Sequence, residues 1–145
     1  MSSRHRSREA ALQALYALDV AKARADPDAT DCAQEAYERV AAHFEMPEGS
    51  RAFAKELVVS VSQNQIALDE LIAGHARNWR VSRMATVDRN VLRLAAFELV
   101  HTETPIGVVL DEAVELARRF GSEKSPAFVN GILNALAHAV RTDAP

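Results

Sequence analysis

Apolar residues recur at three- and four-residue spacing along almost the whole chain, and no stretch alternates as a half-buried strand or hairpin would. That single period restricts the fold to packed helices. A first helix is expected from about Ser7 to Ala21, with Ala11, Leu12, Leu15 and Leu18 on its inner face. Asp26-Pro27-Asp28 breaks it. A second helix is expected from about Asp31, where Asp31 and Gln34 resemble a capping pair, with Ala33, Ala36, Tyr37, Val40, Ala41 and Phe44 as its stripe. Met46-Pro47-Glu48-Gly49 ends it. A long third helix follows from Ser50 to Arg77, with Phe53, Leu57, Val58, Val61, Leu68, Leu71 and Ile72 facing inward. The period is lost near Trp79-Arg80-Val81-Ser82, which predicts a bend or a short helix. Thr86 is placed to cap the next helix, which runs through Leu99. Thr104-Pro105 and Ser125-Pro126 each read as a cap followed by proline at the first helical position, and Gly121 reads as a left-handed cap between those last two helices. The expectation is all-α: six to seven helices in two packed small helical bundles, forming one domain over residues 1–145.

Function classes narrow by elimination. The 145 residues suffice for one ordinary core. A lone cysteine, Cys32, cannot form an intrachain disulfide and suits a reducing compartment. Apolar runs are short, and no signal-peptide core is present, so a cytoplasmic protein without a membrane span is expected. The histidines at 5, 43, 75, 101 and 138 include no pair at helical metal-ligand spacing. Cys32 has no visible histidine partner, and no glycine-rich phosphate loop exists. Asp111, Glu112 and Glu115 read as acids early in a helix, complementing its dipole. No enzyme activity, metal or cofactor is implied.

Charge is more informative locally than globally. The net charge is −3, yet residues 1–25 carry five bases and two acids, residues 26–50 one base and seven acids, and Arg77–Arg93 five bases and one acid. Arg4, His5, Arg6 and Arg8 cluster at the N-terminus, and arginine both pairs with phosphate and stacks on bases. On the side of the first helix opposite its apolar face, Arg6, Glu9, Gln13, Tyr16 and Val20 line up. There Tyr16 can stack a splayed base while Gln13 reads a base edge. Lys124 lies beside the start of the last helix, and Phe128 lies at the margin of that helix's apolar stripe, able to pack or to stack. Trp79, Arg80, Arg83, Asp88, Arg89 and Arg93 suit either a further RNA patch or a protein interface, and Asp88 has a local role in its helix as well.

Four stretches resemble the NusB family. Arg6-Ser7-Arg8-Glu9-Ala10-Ala11-Leu12-Gln13-Ala14-Leu15-Tyr16 is similar to its opening helix, and Val87 through Leu99 to its central helix. Pro105 through Gly121 resembles the following helix, and Phe128-Val129-Asn130-Gly131-Ile132-Leu133 the start of the last one. The resemblance implies a non-catalytic antitermination factor that binds boxA-type rRNA leader RNA, as a single strand, together with the ribosomal protein NusE, within the RNA polymerase antitermination complex. It places Arg4, His5, Arg6 and Arg8 in an RNA-binding arm, Gln13, Tyr16 and Phe128 on an RNA surface that Lys124 is expected to strengthen, and Asp88 on the NusE-facing surface, where Arg89, Arg83 and Trp79 lie nearby. His5 stands where arginine is frequent, which ties the arm's charge to pH. Lys124 stands where an acid is familiar, and residues 22–50 carry no resemblance. A homodimer hiding the RNA surface, a helical adaptor without RNA binding, and the detached N-terminal domain of an rRNA cytosine methyltransferase are the alternatives.

Overall fold

The computed structural model of the protein describes residues 3–22, 29–43 and 46–141. The expected break at residues 26–28 and Phe44 lie outside them, as do the side chains of Asp31 and Cys32. Seven α-helices and a short 3-10 turn account for the regular structure, and no strand occurs among the described residues. The helices are α1 (Ser3–Lys22), α2 (Ala29–Ala41), α3 (Glu48–Gln63), α4 (Gln65–Ala73), α5 (Thr86–His101), α6 (Ile106–Phe120) and α7 (Ser125–Val140), with the 3-10 turn at Val81–Arg83. They group into two compact units, Met1–Asn64 and Gln65–Pro145.

In the first unit α1, α2 and α3 pack on one another around many small side chains. Ala10, Ala11, Ala14, Ala33, Ala36, Ala41 and Ala54 are buried with Leu12, Leu15, Leu57, Val58 and Val61. Two polar groups at these close approaches bond to backbone carbonyls of α3. Ser7 Oγ donates to Ser50 O at 2.9 Å, and Tyr37 Oη donates to Arg51 O at 2.8 Å. Burial raises the Tyr37 pKa above its ordinary 10.0, and the positive charge of Arg51 opposes that rise.

The second unit is built on α5, which is buried continuously from Asn90 to Leu99. A helix buried around its girth is an inner one, and α4, α6 and α7 pack against it. Two of its buried polar members bond to each other and to α4. Arg93 grips Asp69 of α4 with two parallel bonds, Nε to Oδ1 at 2.7 Å and Nη2 to Oδ2 at 2.9 Å, and Nη1 donates to Asn90 Oδ1. Arg141, just past α7, donates to the carbonyls of Glu98, Leu99, Thr102 and Thr104. The last carbonyls of a helix have no partner within it, and this guanidinium supplies one.

Several expected boundaries shift. The long third helix is two helices, because Asn64 (φ −105°, ψ 12°) closes α3 and its Nδ2 donates back to Ser60 O. Asparagine side chains offer the backbone such an alternative partner. Thr86 is the first residue of α5 after Ala85, with no side-chain cap. Pro105 is the N-cap of α6, its carbonyl accepting from Val109 N. Gly121 is extended (φ −96°, ψ −164°), not left-handed. Its glycine is required for space instead: a Cβ there would meet Ser125 Oγ at 2.5 Å and Ala117 O at 2.8 Å. Ser125 is buried inside the first turn of α7, and its Oγ accepts from Ser122 N at 2.9 Å, so it braces the preceding turn rather than capping the helix.

Candidate nucleic-acid interface

The basic N-terminal cluster is helical, not an extended arm, since α1 begins at Ser3. Helical spacing therefore sorts its members. Arg4 and Arg6 are exposed, whereas His5 and Arg8 are 6% and 3% exposed. His5 Nε2 lies 3.5 Å from Glu9 Oε2 one turn on. Phe53 of α3 organises the arginines: the Arg4 guanidinium lies 3.9 Å from its ring centre and that of Arg8 5.7 Å. Such a stack holds a cation in place without consuming its hydrogen-bond donors. Of the four, Arg4 and Arg6 are the exposed members, and Glu9, expected on the outer stripe, is buried. Farther along the same helix Gln13 is half-buried, and Tyr16 and Val20 are exposed at 43% and 38%. The first unit thus presents guanidinium, amide and phenol along one side of one helix.

In the second unit the structure joins two residues that the sequence analysis kept apart. The Trp79 and Phe128 rings meet edge to face, centroids 5.3 Å apart at 76°. Trp79 is 55% exposed and Phe128 half-buried. Lys124 is exposed at the head of α7, where its carbonyl accepts from Phe128 N. Arg80 and Arg83 are exposed on the connection that carries Trp79. Two other members of the basic stretch are engaged within the protein: Arg89 Nη1 donates to Ser82 O at 3.2 Å, and Arg93 is buried on Asp69. Asp88, expected on a partner surface, is 9% exposed, and its Oδ1 is buried without a hydrogen-bond partner among the described residues. It sits in the first turn of α5, where the helix dipole favours an acid. The local role anticipated for it accounts for that placement.

Asp111, Glu112 and Glu115 lie beyond the first turn of α6, and Glu115 is ion-paired with Arg118. Among the described residues no group of three histidine, cysteine, aspartate or glutamate side chains could hold a metal ion, and no helix is long and apolar enough to cross a membrane.

The sequence pattern that defines the NusB family matches residues 5–138. The chain belongs to the NusB family. The transcription antitermination protein NusB of Anaeromyxobacter dehalogenans is 48% identical over 137 residues, covering 94% of this chain and 91% of that protein. The structure of NusB from T. maritima superposes with a TM-score of 0.83 at 32% identity, covering 100% of this chain and 95% of the other. A crystal structure of antitermination factors NusB and NusE in complex with double-stranded RNA gives 0.79 at 28% identity, with 96% and 98% covered.

Proposed function

We propose that this chain is a cytoplasmic, non-catalytic transcription antitermination factor that binds boxA-type rRNA leader RNA with NusE and helps assemble the RNA polymerase antitermination complex. The observation that carries the reading is the unburied side of α1 in a NusB-family chain. Arg6, Gln13 and Tyr16 stay off the core there, with Arg4 exposed at the start of the helix over Phe53, while most of the helix is buried. In this reading Arg4 and Arg6 hold phosphates, Tyr16 stacks a base and Gln13 meets a base edge. Lys124 and the Trp79–Phe128 pair form a second surface on the other unit, with Phe128 toward RNA. Trp79, Arg83 and Arg89 serve the protein partner. His5, Arg8 and Asp88 act from below by fixing the first turns of α1 and α5.

The solved complex holds double-stranded RNA. A single strand is proposed for this chain because Tyr16 can stack only on a base free of its neighbour. Fluorescence anisotropy with a labelled boxA-type RNA and a scrambled control, with and without NusE, tests the reading. Tighter binding to the true element, strengthened by NusE, is expected. Equal binding to both RNAs with NusE present would leave a helical adaptor as the better description.

A further inference from the structure

The groove between α1 and α2 is lined by Gln13, Ala17, Ala36, Arg39, Val40 and His43 and encloses about 320 Å³. That is near the lower end of clefts that accept a small molecule, roughly 300–1,000 Å³. Its floor is apolar: Ala36 is buried, and Ala17 and Val40 are half-buried. Its rim is polar and carries one guanidinium, that of Arg39. Arg39 is exposed on the last turn of α2 and His43 in the turn just past it, and half-buried Gln13 faces them from α1.

The charge of this groove is the reverse of its sequence neighbourhood. Residues 26–50 carry seven acids and one base, and that base is Arg39. Among the described residues no acid lines the α1–α2 groove, whereas Glu38 and Glu48 line a different one, with Arg51 and Lys55, between α2 and α3. Arg39 takes part in no ion pair among the described residues, nor does Glu35 one turn before it. Gln13 belongs both to the groove and to the α1 stripe of Arg6 and Tyr16. A strand laid along that stripe passes the mouth of the groove.

We infer that the α1–α2 groove is a nucleotide subsite for single-stranded RNA, an inference that rests on the RNA-binding reading above. A base lies against Ala17, Ala36 and Val40, Gln13 meets its edge, and Arg39 and His43 take the flanking phosphates. An acidic peptide would use Arg39 but would leave the apolar floor and the amide idle. A nucleotide uses all three.

The test is anisotropy of a labelled boxA-type RNA with NusE present, over a range of salt, for the parent protein, Arg6→Ala, Arg39→Glu and the double variant Arg39→Ala/His43→Ala. Both groove residues are exposed, so these variants fold, which a thermal melt checks. The double variant is expected to bind about tenfold more weakly, with the salt slope reduced by about 0.7 for each phosphate no longer neutralised. Arg39→Glu is expected to bind more weakly than the double variant. Parent affinity and slope in the double variant, alongside weakened Arg6→Ala, would overturn the subsite and leave the α1 surface standing. Loss of NusE binding with intact RNA affinity would assign the groove to protein and overturn the proposal. A parent that fails to distinguish boxA-type from scrambled RNA would remove both readings.

Discussion

The two units bury small and large side chains in different proportion, and the difference separates scaffold from surface. The first is held by alanines at the contacts of α1, α2 and α3, where small residues bring helices close and leave little room for adjustment. The second is held by branched and long apolar residues around α5, with Leu92, Leu94, Leu99, Leu133 and Leu136 all almost fully buried. Close packing through alanine lets α1 commit one face to the core and keep Arg6 and Tyr16 exposed on another. A helix enclosed on all sides, as α5 is, has no side left over for RNA.

The contrast can be broken most forcefully in the second unit. Leu133→Ala is expected to cost about 2–5 kcal/mol, because truncating a deeply buried leucine forfeits transfer energy and leaves a cavity as well. Chemical denaturation measures this, and a loss under about 1 kcal/mol would mean that the surroundings of α5 collapse easily. Enlarging a residue probes the first unit. Ala14→Leu should destabilise by about 1–3 kcal/mol through overpacking, read in the same experiment. A neutral effect would show slack in the α1 packing that the buried alanines do not suggest.

The smallest effect concerns Tyr37. Its pKa is raised by folding, so its contribution is fully present below pH 10.0 and is lost as pH climbs through the higher native value. Tyr37→Phe should therefore flatten the alkaline fall in stability of the first unit, with denaturation midpoints above pH 10.0 compared between variant and parent. Parallel curves would place the alkaline sensitivity elsewhere.

Legibility in the sequence followed the range of the interactions. The helices α1, α5, α6 and α7 were readable because apolar period and proline position are local signals. The end of α3 at Asn64 was hidden because Leu57, Val61, Leu68 and Ile72 keep nearly one period across it. Only the bond from Asn64 back to Ser60 marks the stop. Gly121 was correctly singled out for the wrong reason, since its need for space depends on where Ser125 Oγ lies. The site divided in the same way. Exposure of Arg6 and Tyr16 followed from helical angle, whereas the burial of Arg8 depends on α1 packing and the Arg93–Asp69 pair spans 24 residues. Arg39 was masked by averaging: the acidic count over residues 26–50 is correct, but the base within it lines the groove against α1.

The four carbonyls gathered by Arg141 also set an order of events. The exit of α5 remains incompletely bonded until a residue roughly forty positions later has been added. The bonds that close α1 on α3, such as Ser7 to Ser50, are available once residue 64 has been made. On a ribosome, the half that carries Arg6 and Tyr16 has all its parts well before the other half can be fastened.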